Sequence, residues 1–386
     1  MGLAQLAILL WRSGATNATD GYFYVFNLGL LPVQIITVGV MYPLLLNDER
    51  LSRRTARRIR WATSALAAIL VLGGAGIFAS SGRMTTELGP IFALSAANAV
   101  FQSRVWFRAV LVEAQGDVRW ISAVALPANS LATLVLAFPW NSSGDAVTAM
   151  IGALAAGNLG LLLYMRAKSV GENALWSLPR QGAIRGGYWF FSKSAIGYGG
   201  LMILQSLAVF LPPSALTLLS LAIKVVGSAS ATFVNAVMPA LVHQSTESPV
   251  AGVRFLRVMA SILGLSGALG VAGVLIWFPA YLQPAIVLAL WLVCSASAAA
   301  AQRLSFRFLK ANASRITMAV VVVVVGAAAA SARLPGFDLV TLLCAYAAVD
   351  AGGSVLLLAS LKDRVMFPVT GIALVALGTF WVGSLL

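Results

Sequence analysis

The chain has 386 residues, of which 60% are apolar and only 10% charged, and its mean hydropathy is +0.91. A soluble domain is nearer a quarter charged, and apolar runs near twenty residues recur along the whole length, which excludes a soluble domain and points to a polytopic helical membrane protein. A membrane β-barrel would instead alternate in segments of roughly ten residues, and the formal charge of +14 is gathered on one set of loops, so no nucleic-acid partner is expected.

Apolar spans are predicted at about 1–12, 22–46, 61–81, 89–115, 120–138, 146–166, 187–210, 214–242, 256–278, 284–308, 315–332, 338–361 and 365–386. That is about thirteen transmembrane helices, the first of them short. Met1-Gly2-Leu3 lacks the basic start of a signal peptide, so the first segment is expected to be retained. The joint Asn47–Arg60 carries SRRTARRIR, read as a topology anchor with lipid headgroups as a further contact. Alternate joints from that one onward hold nineteen Lys and Arg, against three (Arg12, Arg83, Arg333) on the opposite joints. The basic face is therefore expected to be cytoplasmic, with the N-terminus inside.

A shift of 196 residues superposes span on span. Ala15–Glu49 falls on Leu211–Ser245, and both segments close on a proline, Pro43 and Pro239, before a polar loop. Spans 61–81, 89–115, 120–138 and 146–166 fall on 257–277, 285–311, 316–334 and 342–362. The evidence is register rather than residue identity. An even number of spans per copy gives both the same orientation, so two parallel six-helix repeats forming two lobes are predicted. The expected division is 1–166 for the N-terminal lobe, 167–186 for a cytoplasmic linker, 187–362 for the C-terminal lobe and 363–386 for an additional helix. The linker carries Trp176, Leu178 and Pro179 among Lys168, Arg180 and Arg185, which suits a segment lying on the membrane surface. Met1–Gly14 is too short to cross the hydrocarbon where the second copy has Gly187–Phe210, so the first helix is expected to be truncated by about ten to fifteen residues. The chain is accordingly expected to be incomplete at its ends.

Charge inside the spans is costly and is the natural place to look for function. Arg104 and Arg108 are four apart and share a helix face, with Glu113 a candidate partner for Arg108. Lys193 lies inside its span and Lys224 midway along its own, where reaching the interface is hard. These four cations are the candidate residues for an anionic headgroup, pyrophosphate above all. Asp350, beside Gly352 and Gly353, is the candidate site for a coupling Na⁺ or H⁺, with a structural ion pair as the alternative. Asp20 is placed at the outer mouth of its span, where solvation costs it little. Cys294 and Cys344 sit inside apolar runs, and the one histidine, His243, is expected in a solvated loop. No catalytic motif, zinc spacing or phosphate loop is found, so no catalytic residue, no metal and no cofactor beyond a coupling ion is expected.

Two stretches carry a resemblance. One is the polar run Gly14–Asp20 followed by Gly21-Tyr22-Phe23, and the other is Leu211-Pro212-Pro213-Ser214, then Leu221-Ala222 to Lys224, closing on Met238-Pro239. They resemble the multidrug/oligosaccharidyl-lipid/polysaccharide (MOP) exporter superfamily, and within it the MviN-type lipid II flippases. The resemblance covers the chain in span order and specific residues in those two stretches alone. It implies a two-lobed transporter whose cationic cavity binds the pyrophosphate and sugar of a polyprenyl-linked precursor while the lobes rock between inward- and outward-open states. The family usually has fourteen helices and an arginine in the first, where this chain has Gln5 with Arg12 the nearest cation.

The leading expectation is a non-enzymatic flippase for a polyprenyl-pyrophosphate-linked saccharide such as lipid II, in the bacterial inner membrane. Its expected partners are that substrate, membrane lipids and cell-wall synthesis proteins. Alternatives are a flippase for another lipid-linked polysaccharide, a cation-coupled drug exporter, an inactive scaffold paralogue, and a polyprenyl-phosphate transferase using Asp48-Glu49 or Asp117 to hold a metal.

Overall fold

A computed structural model describes residues 2–46, 52–117, 119–177, 187–244, 250–308 and 311–386. Every regular element among them is helical. In order these are α1 (Gly2–Ser13), α2 (Asn17–Pro32), a π-helical segment (Val33–Met41), α3 (Tyr42–Leu46), α4 (Arg53–Ser80), α5 (Leu88–Glu113), α6 (Arg119–Ala123), α7 (Leu126–Leu136) and α8 (Ser143–Ala167). Then come α9 (Glu172–Ser177), α10 (Gly187–Leu207), α11 (Ala215–Gln244), α12 (Val250–Trp277), α13 (Leu282–Phe308), α14 (Ala311–Ser331), α15 (Leu339–Ser360) and α16 (Met366–Leu385). Among the described residues, nine helical stretches are long and apolar enough to cross a membrane. The chain is a multi-pass membrane protein.

The helices begin where local chemistry allows. Thr16 caps α2 in a reciprocal pair with Thr19, Ser52 caps α4, Ser142 caps α8, and Asp338 with Thr341 caps α15. Ser52 sets the start of α4 earlier than predicted, so Arg53 to Arg60 form its first two turns instead of a loop. Likewise α11 continues to Gln244, which puts His243 in its last turn. Residues 47–51 of the first basic joint, with Asp48 and Glu49, lie outside the described residues, as do Leu178, Pro179, Arg180 and Arg185 of the linker.

The 196-residue register holds in the helices. Adding 196 to the bounds of α4 gives 249–276 against Val250–Trp277 for α12, and to those of α8 gives 339–363 against Leu339–Ser360 for α15. The two copies differ where proline differs. Pro32 precedes the π-helical segment and Pro127 follows the break between α6 and α7, whereas the equivalent residues Ser228 and Val323 lie inside unbroken α11 and α14. A proline removes one ladder hydrogen bond and its ring crowds the carbonyl four residues back, so the helix widens or breaks there.

The contacts divide the chain into two compact units, Met1–Leu218 and Leu219–Leu386. In the first, α5 is central, packing on α2, α4 and α8, and α10 packs on α2 and the π-helical segment. Within a bilayer the drive is close contact and a few interhelical hydrogen bonds rather than water exclusion. Ser64–Ser103 (2.8 Å) joins α4 to α5, Asn158 donates to Asn98 (2.8 Å) from α8, and Tyr24–Ser206 (3.1 Å) with Asn27 to Gln205 (3.0 Å) joins α2 to α10. In the second unit α15 is central, and its core stacks Ala296, Ala300 and Ala301 of α13 against Leu256 and Met259 of α12 and Leu357 of α15.

Candidate functional site: two cavities on opposite faces of one helix

Successive residues of a helix turn by about 100°. Arg104 and Arg108 of α5 therefore point the same way, and Gln102 and Trp106 point to the opposite side. Each pair lines its own cavity. The arginine side opens on a cavity of about 460 Å³ lined by Arg60 and Trp61 of α4, Phe101, Arg104 and Arg108 of α5, Leu159, Leu162, Leu163 and Arg166 of α8, and Glu172 of α9. The Arg104 guanidinium lies 4.7 Å from the centre of the Trp61 ring, and that of Arg60 lies 5.9 Å from it. The other side opens on a cavity of about 400 Å³ whose polar groups are the amides Gln34, Gln102, Asn129 and Asn158, set among Phe26, Trp106 and Tyr198. Its walls come from α2, the π-helical segment, α5, α7, α8 and α10.

Arg108 takes a partner the sequence reading did not name. It donates to the Val170 carbonyl and to the Glu172 carboxylate, both at 2.9 Å. Glu113 stands five residues from Arg108, about 140° round the helix, and accepts from the Tyr42 hydroxyl at 3.1 Å instead. Gly171, with φ +74°, makes the turn that presents Val170 and Glu172, and a Cβ there would meet the Arg108 Cβ at 3.1 Å and its backbone at 3.2 Å. That position requires glycine.

Lys193 lies on α10 beside Ser194, whose hydroxyl packs against Gly39 of the π-helical segment so closely that a Cβ there would clash with it. It lines neither cavity. Lys224 lies on α11 and Asp350 on α15, both half-buried in the second unit. Asp350 accepts the Trp291 indole N–H at 2.8 Å and the Ser295 hydroxyl, and Ser295 in turn accepts from Ser230 at 3.1 Å. These are neutral donors, so the ion pair weighed as an alternative is absent among the described residues.

The structure corrects the placement of Asp20, whose side chain is fully buried. It is ion-paired with Arg83 and accepts the backbone N–H groups of Ser214 (2.8 Å) and Thr217 (2.8 Å) and the Thr217 hydroxyl (2.5 Å). Arg83 also donates to Asn17 (3.0 Å) and to the Val209 carbonyl (3.2 Å). Asp20 thus supplies from another helix the cap that the start of α11 needs. The sequence showed a polar residue at a helix mouth, but the donors that bury it lie 63 and 194–197 residues away.

Asp117, between α5 and α6, is held below the usual carboxylate range by side-chain hydrogen bonds from Arg119, at 2.8 and 2.9 Å. Among the described residues no three His, Cys, Asp or Glu side chains gather as a metal site would require. A further ion pair, unanticipated in the sequence, joins the exposed Arg257 of α12 to the buried Asp363 at 2.8 Å.

No protein family and no curated protein matches the sequence. Solved structures do. A lipid II flippase, MurJ, in an inward closed conformation is similar over 99% of this chain and 90% of its own, with a TM-score of 0.65 and 11% identity. An inward-facing multidrug resistance transporter of the MATE family is similar over 98% of this chain and 95% of its own, with a TM-score of 0.52 and 14% identity. At such identities the fold alone is what is shared with these two transporters.

Proposed function

We propose that the protein is a flippase that moves a polyprenyl-pyrophosphate-linked saccharide, with lipid II the first candidate, from the cytoplasmic to the outer leaflet of a bacterial inner membrane by alternating access. The supporting observation is the likeness to a lipid II flippase over 99% of the chain. Cations inside its apolar spans agree with this reading, because a pyrophosphate in a water-poor cavity needs fixed positive charge. Lys193 and Lys224 are the residues we assign to that headgroup. The amide and aromatic groups around Gln102, Asn129, Asn158 and Trp106 offer donors and stacking faces suited to a sugar. Asp350 is the proposed ligand for a coupling Na⁺ or H⁺, and the basic helix ends support a cytoplasmic N-terminus. A transporter of cationic drugs would favour a carboxylate in its cavity, and the amide-lined cavity has none among its lining residues.

The test is rescue of a bacterium depleted of its own lipid II flippase. Growth with lipid II reaching the outer leaflet is expected, and Lys224→Gln should abolish it at unchanged membrane abundance. Good membrane insertion without rescue would overturn lipid II as the substrate and direct the search to other lipid-linked glycans.

A further inference from the structure

We propose that the arginine-lined cavity between α4, α5 and α8 binds the phosphate of an anionic membrane phospholipid, as a site separate from the transport path. Four guanidinium groups (Arg60, Arg104, Arg108, Arg166) face one carboxylate, Glu172. Arg108 holds Glu172 and the Val170 carbonyl directly, so among the lining residues one carboxylate stands against four guanidinium groups and the cavity keeps a net positive charge. Arg60 is partly desolvated and repelled by Arg108, Arg104 and Arg57, with Glu172 alone acting the other way, so the cluster gains from an anion that enters it. Arginine suits phosphate in particular, because its planar fork donates two parallel hydrogen bonds.

The apolar part of the lining indicates that this phosphate is carried by a lipid. Trp61 is 58% exposed and Leu163 54% exposed, and the same outer face of α4 continues through Ile69 and Leu72, 61% and 60% exposed. Such residues on membrane-spanning helices offer a track for acyl chains, with the cationic cavity at its headgroup end, where α4 begins and α8 ends. Trp61, an amphipathic ring at that level, marks the interface.

The position on α5 separates the site from the transported substrate. Arg104 and Arg108 lie on the side of α5 opposite Gln102 and Trp106, and only the latter side shares a cavity with α2 and α10. A bilayer phospholipid reaches the outer side directly. This assignment gives Arg104 and Arg108 a role that does not depend on which saccharide the protein carries.

The experiment is a thermal-unfolding titration of the purified full-length protein in a neutral detergent. The probes are phosphatidylglycerol, phosphatidylcholine, sodium phosphate and a polyprenyl pyrophosphate. Phosphatidylglycerol is expected to raise the midpoint and phosphatidylcholine to leave it in place. The Arg104→Gln/Arg166→Gln double variant should need about tenfold or more phosphatidylglycerol for the same rise, since it loses two charge-assisted contacts. Arg166→Gln alone, at an exposed position, should fold normally and show part of the shift. An unchanged phosphatidylglycerol response in both variants would overturn the proposal. So would equal stabilisation by sodium phosphate, which would make this a free-anion site. Arginine-dependent displacement of phosphatidylglycerol by far lower polyprenyl pyrophosphate would overturn it too, by returning the site to the substrate.

Discussion

Asp20 and Asp350 are both carboxylates set in apolar helices, one in each compact unit, and their surroundings are opposites. Asp20 meets a guanidinium, two backbone N–H groups and a hydroxyl, so charge and lone pairs are both satisfied. Asp350 meets an indole N–H and a hydroxyl, which satisfy lone pairs, and it has no cationic partner among the described residues. A buried charge with a full complement of partners holds structure together, because removing it strands those partners. A half-buried carboxylate among neutral donors is poised to take up a cation or a proton. A place in an apolar helix does not by itself distinguish an anchor from a working group. The identity of the donors does.

The largest expected effect follows from the Asp20 side. Asp20→Ala strands the mostly buried Arg83 and the first N–H groups of α11, and should cost about 3–5 kcal/mol of stability. The check is the unfolding midpoint of the purified protein together with its abundance in the membrane. Adding Arg83→Ala should recover part of the loss, since the stranded charge then disappears. A single variant as stable as the parent would mean that Asp20 is no anchor, and the contrast with Asp350 would fall.

Asp350→Asn sharpens the other side. The amide oxygen can still accept from Trp291, so the stability change should stay within about 1 kcal/mol. Rescue of the flippase-depleted bacterium should nevertheless fail, because an amide neither releases a proton nor balances a Na⁺ charge. A collapse in stability comparable to that of Asp20→Ala would make Asp350 structural as well. Intact rescue would remove it from the coupling mechanism.

Much of this fold was legible in the sequence because hydropathy is a one-dimensional signal. Each predicted span has its helix, and the 196-residue register recurs between α4 and α12 and between α8 and α15. The consequences of proline were visible but unread: Pro32 and Pro127 stand where the first copy is irregular and the second is straight. Pairings were legible only when they were local. Arg104 and Arg108 on one face follows from spacing, but the acceptor of Arg108 is Glu172, on another helix 64 residues away. The same distance hid the burial of Asp20. A polar residue near a helix end reads as wet unless its donors are known, and those donors are brought in by the tertiary fold. Nor could spacing alone reveal that the two faces of α5 open on different cavities, because that depends on which helices pack on each side.

The smallest expected effect comes from a third carboxylate, which tests whether partners or burial decide. Asp117 has an ideal forked contact with Arg119, yet Arg119 is 85% exposed. Water and salt screen such a pair, and ordering two solvated side chains offsets most of what the contact gains. Asp117→Asn should therefore leave the unfolding midpoint at neutral pH unchanged within error, despite two charge-assisted contacts at 2.8 and 2.9 Å. Its pH dependence has a defined sign. Arg119 holds the folded carboxyl below its ordinary value, so whatever the pair contributes is complete above the ordinary carboxylate range, near pH 4. It is lost only as the pH falls through the lower folded value. Any gap between the unfolding profiles of parent and variant should thus stay constant from neutral pH down to about 5 and close, not open, below the ordinary carboxylate range. A clear difference at neutral pH would show that a good partner suffices at the surface, and that the burial of Asp20 is not what makes its pairing strong.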